Sequence, residues 1–134
     1  MCNIIFKDLE HENFYFEYLP QAKYPDGYHK ALIYLLGVSE VTRTHFEQIY
    51  NIGTGCIKPE CLHQEWTTDS VRKIIRLAFN LYTGWIPTAD IGHNEYERSE
   101  ECGQYSVNEI FSCTYALYFW ESIKLRWPEY TKNQ

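Results

Sequence analysis

No stretch of this 134-residue chain approaches the roughly 20 consecutive apolar residues that a membrane-spanning helix needs, so the chain is expected to keep off the membrane. Basic charge is scarce too. Twelve Lys and Arg stand against 18 Asp and Glu, a net charge of -6, whereas a phosphate-backbone binder needs clustered cations. The 5 cysteines (Cys2, Cys56, Cys61, Cys102 and Cys113) are odd in number and irregularly spaced, which speaks against a disulfide framework. Behind Met1, the string Cys2-Asn3-Ile4-Ile5-Phe6 supplies neither the basic leader nor the apolar run of a signal peptide, so the cytoplasm is the expected compartment. There is no G-x-S-x-G nucleophile elbow, and Gly53-Thr54-Gly55 lacks the Lys-Ser that would make it a phosphate cradle.

What the chain does have is apolar and aromatic side chains. At 45% hydrophobic and 17% aromatic residues it can bury one core large enough to offset its conformational entropy, and a single helical domain over 1–134 is expected. The fold class is all-α, a compact bundle of about five helices. Asp8 caps a helix with His11, Phe14, Tyr15, Tyr18 and Leu19 on one stripe, ended by Pro20. Asp26 caps a second, with Tyr28, Ala31, Leu32, Leu35 and Leu36 facing inward and Gly37 expected as a left-handed stop. Ser39 opens a third through Thr42, His45, Phe46 and Ile49, and Pro59 begins a short turn. A fourth follows Thr67-Thr68-Asp69-Ser70, points Val71, Ile74, Ile75, Ala78, Leu81 and Tyr82 inward, and closes at Gly84.

Two further expectations concern the rest of the chain. Residues 85–105 carry no apolar period and read as a long acidic loop, after a short extended N-terminus and before the last helix. Ser106 and Glu109 form a capping box, and the run that follows is apolar on nearly every side, so a helix over 106–126 is expected at the centre of the bundle until Pro128 stops it.

Several residues carry chemistry worth locating. Cys56-x4-Cys61-x-His63, with His93, Cys102 or Cys113 as a fourth ligand, offers zinc soft donors, although structural zinc sites usually show two tight pairs. Ordinary buried thiols are the competing reading, and Cys113 on an apolar helix is expected to be inert. Glu121 beside Trp120 needs a partner if buried, and Arg76 of the fourth helix is expected to supply it as an internal ion pair. Arg72, Lys73 and Arg76, with Asn80 one turn on, form the one basic cluster, enough for weak nucleic-acid affinity at most.

The strings Phe6-Lys7-Asp8, Tyr28-His29-Lys30-Ala31-Leu32-Ile33-Tyr34, Arg76-Leu77-Ala78-Phe79-Asn80-Leu81-Tyr82 and Ile110 to Glu121 resemble a family of small uncharacterised proteins of Firmicute prophages and conjugative elements. That resemblance implies a mobile-element accessory protein binding a host protein, including components of antiviral defence. The expected function is therefore a non-catalytic protein-interaction module and not an enzyme, with a host or element-encoded protein as its partner and inhibition of a host defence or nucleic-acid-handling protein as its expected role. Trp85 and Tyr96 are its expected aromatic anchors, and Asp90, Glu95, Glu97, Glu100 and Glu101 its acidic contacts. No cofactor is expected. The alternatives are a small zinc- or cysteine-based enzyme at Cys56, Cys61 and His63, and a weak nucleic-acid binder at Arg72, Lys73 and Arg76.

Overall fold

The computed structural model describes residues 3–88 and 95–132, and the side chains of all of these except Glu95, Tyr96, Arg98 and Ser99. Among the described residues the regular structure is helical apart from one two-stranded ribbon. Helix α1 (Leu9–Tyr18) starts where the Asp8 side chain accepts the His11 N–H at 2.9 Å, and α2 (Gly27–Leu36) starts where Asp26 does the same for His29 at 3.0 Å. Ser39 caps α3 (Glu40–Thr44), and α4 (Phe46–Ile49) follows after one residue. Then come β1 (Tyr50–Asn51) and β2 (Cys56–Ile57), a 3-10 turn at Pro59–His63, and α5 (Asp69–Thr83).

The core is organised around α2. Residues 31–36 are buried on every side, and the helix packs against α5, α8 (Ala116–Arg126) and α1. Six successive enclosed side chains, of which Leu32, Ile33, Leu35 and Leu36 are each worth roughly 1.5–3 kcal/mol of transfer free energy, make this the hub. The central role expected of residues 106–126 therefore belongs to α2. That C-terminal run is two helices, α7 (Val107–Phe111) and α8, parted at Ser112–Tyr115, and Leu117 and Trp120 of α8 face outward, Trp120 with 48% of its surface exposed. Uniform apolarity does not choose a face, and at the break the Ser112 hydroxyl donates to the Glu109 carbonyl at 3.3 Å, in competition with the backbone. Pro128 ends α8 as expected and opens a further turn, α9 (Pro128–Thr131).

Two glycines act differently. Gly84 caps α5 in the left-handed region at φ 75°. Gly37 was expected to do likewise but sits at φ -89°. A Cβ there would lie 2.7 Å from the Phe14 ring, so the residue is small to let α1 approach α2.

The acidic loop expected over 85–105 is also partly helix. Glu95–Gly103 forms α6, without the apolar stripe that would have revealed it. Among the described residues, no helix is long and apolar enough to cross a membrane.

Candidate interaction surface

Trp85 is the most exposed tryptophan described, with 75% of its surface in solvent, and Ile86 beside it is also exposed. Its backbone is nonetheless fixed. The Trp85 N–H donates to Thr83 Oγ1 at 2.9 Å, and its carbonyl accepts the Asn80 side-chain amide at 2.9 Å. Asn80, read in the sequence as an extension of the basic cluster, is in fact the peg of this turn. Just beyond, the Pro87 carbonyl accepts the Tyr105 hydroxyl, which ties the segment to the residues that follow α6.

Of the acids expected to meet a partner, Glu97 and Glu100 are exposed on α6. Asp90 lies outside the described residues, as does His93, and so do the side chains of Glu95 and Tyr96. Glu101 departs from expectation. It is only 7% exposed and faces inward, 3.3 Å from His63 Nε2. Tyr105 is buried beside it, and burial raises its phenol well above the usual range. Arg76 completes the group from α5, its guanidinium 6.0 Å from the Tyr105 ring centre and within the field of Glu101. Burial lowers the Arg76 pKa, and Tyr105 and Glu101 are among the charges that act on it. Arg76 Nε has no hydrogen-bond partner among the described residues.

The ion pair expected between Glu121 and Arg76 is thus not formed. Glu121 is buried as anticipated, but Oε2 accepts the Ile5 N–H at 3.2 Å and Oε1 meets Lys124 at 2.9 Å, one turn along its own helix. The geometric reason is that Arg76 lies over the Tyr105 ring beside α6, away from the Glu121 carboxylate, which Ile5 and Lys124 occupy.

The basic cluster is consumed internally. Arg72 donates to the carbonyls of Thr67 at 2.7 Å and Leu62 at 3.3 Å, and Lys73 to that of Ser112 at 3.1 Å. These contacts close the ends of the 3-10 turn and of α7, whose last carbonyls need donors.

The proposed metal ligands do not converge. Cys56 is exposed on the ribbon, with its thiol 3.9 Å from the Thr54 carbonyl, and His63 is turned to Glu101. Cys61 is buried, and burial pushes its thiol up to about 12, which leaves it protonated and unreactive at neutral pH. Cys102 and Cys113 are partly exposed. Among the described residues, no three His, Cys, Asp or Glu side chains are grouped to hold a metal ion.

One pairing escaped the sequence reading. Asp26 Oδ1 accepts from His29 Nδ1 at 2.7 Å as well as from the His29 backbone, which fixes the imidazole edge-on to Tyr82 at 5.3 Å between ring centres. An N-cap Asp with His three residues on was the available signal.

A model of a family described as a family of unknown function, DUF6075, matches residues 1–134. The chain belongs to that family. No curated protein and no solved structure matches it. In this DUF6075 chain the Trp85 turn displays an exposed aromatic side chain on a hydrogen-bonded backbone.

Proposed function

We propose that this chain is a non-catalytic protein-interaction module. In this reading it is an accessory protein of Firmicute prophages and conjugative elements, and it inhibits a host defence or nucleic-acid-handling protein in the cytoplasm. The observation that carries the reading is Trp85, a large apolar ring displayed on a backbone pinned from both sides. Interface hot spots are enriched in Trp, and a fixed anchor loses little entropy on binding. Exposed Glu97 and Glu100, with the net charge of -6, favour a partner whose facing surface is basic, as nucleic-acid-handling proteins have. The resemblance of the quoted strings to mobile-element proteins supports the context.

The test is quantitative affinity capture from a Firmicute host lysate with three versions of the chain: wild type, Trp85→Ser, and Glu97→Gln/Glu100→Gln. The expected result is one or more proteins enriched by the wild type, lost with Trp85→Ser and retained less well at raised salt or with the charge-neutral version. Identical recovery by wild type and Trp85→Ser, with both equally folded, contradicts the reading.

A further inference from the structure

Far from the Trp85 turn in sequence, a groove of about 250 Å³ opens between the end of α1, the 3-10 turn that follows it at Leu19–Gln21, α4 and the ribbon. Its floor is aromatic and buried, formed by Phe46 and Tyr50. Tyr18 and Ile52 form half-buried walls, and the Tyr18 and Phe46 rings lie 4.7 Å apart at 49°. An apolar floor under a few placed polar groups is the usual anatomy of a small-molecule site.

The rim decides what kind of molecule fits. Asn51 Oδ1 accepts the Gly53 and Thr54 N–H groups at 2.9 and 3.1 Å, which fixes the amide and leaves its Nδ2 protons to a ligand. Gln21 is oriented the opposite way. Its Nε2 donates to the Glu17 carbonyl at 3.1 Å, so its oxygen is left as an acceptor. Lys58 Nζ is held at 2.7 Å by the Glu47 carbonyl, bridging the ribbon to α4. The rim thus presents a fixed amide donor and a fixed amide acceptor over aromatic walls.

We propose that this groove binds a nucleobase, presented as a free nucleoside. Nucleobases carry donors and acceptors side by side on one edge and a flat face that packs on aromatic rings, and Asn and Gln amides are their usual readers. The volume lies below the roughly 300–1,000 Å³ of pockets for larger ligands, so one ring system and little more is accommodated. Glu47 and Lys58 offset each other at the rim, so it offers no surplus cation to a phosphate, and the net charge of -6 disfavours one further. The site shares no residue with the proposed partner surface, so the two readings stand or fall separately.

The test is titration of amide NMR spectra with adenosine, guanosine, cytidine and uridine, each to about 1 mM, alongside the matching monophosphates and a single-stranded hexanucleotide. At least one nucleoside is expected to bind, with shifts centred on Tyr18–Gln21, Phe46–Ile52 and Lys58, more tightly than its monophosphate. Asn51→Asp keeps the acceptor that the turn requires and removes the donor, and it is expected to weaken binding about tenfold. Gln21→Ala, on the exposed rim, should weaken binding by a similar factor, while Trp85→Ser leaves it unchanged. The proposal is overturned if all four nucleosides are inert, if only the hexanucleotide binds, if the shifts centre elsewhere, or if binding survives both rim substitutions undiminished.

Discussion

The extended N-terminal segment and helix α6 are both held to the helical body by buried polar side chains, yet the two attachments differ in kind. At the N-terminal segment the groups are matched. The Tyr34 hydroxyl donates to the Ile5 carbonyl, the Ile5 N–H donates to Glu121, and the Lys7 N–H donates to His11 Nδ1 at 3.0 Å. His11 Nε2 in turn lies 2.7 Å from the Tyr34 carbonyl, so the neutral imidazole with its proton on Nε2 satisfies both neighbours. At α6 the attachment is charge: Glu101 enters the body beside His63 and in the field of Arg76, whose Nε finds no hydrogen-bond partner among the described residues. A matched network contributes on the order of 1 kcal/mol per hydrogen bond, whereas removing one member of a buried charge pair strands the other.

The largest expected effect breaks the second attachment. Arg76→Met takes the guanidinium and its field away from buried Glu101, which keeps His63, and should cost up to about 3 kcal/mol in urea unfolding, with part of the loss recovered when Glu101→Gln is added. A cost under about 1 kcal/mol would mean that charge does not hold α6.

Next in size is a pH effect confined to the first attachment. Burial lowers His11 from its ordinary 6.5 to about 4 in the fold. Between those values the unfolded chain binds the extra proton, so stability is complete above pH 7, falls as the pH drops through this window, and levels off below about 4. The loss should be on the order of 3 kcal/mol at pH 4 relative to pH 7, read from urea midpoints, and should flatten in His11→Gln. An unchanged slope in that variant would remove His11 as the cause.

Smaller still is Glu121→Gln, which keeps an acceptor for the Ile5 N–H and gives up only the contact with half-exposed Lys124; about 1 kcal/mol is expected. The smallest is Trp85→Ser, which should stay within about 0.5 kcal/mol of wild type because the exposed ring contributes little to the fold. A drop of several kcal/mol there would show that the ring belongs to the core.

These contrasts explain what the sequence revealed and what it hid. Helix starts were legible because they depend on single local oxygens: Asp8, Asp26, Ser39 and Ser106 all cap as expected, and the apolar stripes of α1, α2 and α5 face inward apart from Tyr28, expected inside at the start of α2 but exposed there. Helix α6 was not legible because its nine residues have no apolar stripe and are anchored by Glu101 through a contact with His63 that spans 38 positions. The same hidden contact misassigned Arg76 to Glu121 and Glu101 to the surface. The ribbon was missed since two residues per strand give no alternation to read, although Asn51 before Gly53-Thr54-Gly55 was a turn signal. Trp85 stood out in the sequence as an aromatic in a charged segment, but the pegs that fix its backbone, Asn80 and Thr83, emerge only when α5 is folded.

The contrast between the two attachments is tested most directly by native-state amide hydrogen exchange in wild type and Arg76→Met. If Arg76 holds α6 through charge, the amides of Glu95–Gly103 lose protection in the variant by a larger factor than those of α2 and of residues 5–7. Equal loss across all three regions, or unchanged protection in α6, would contradict it.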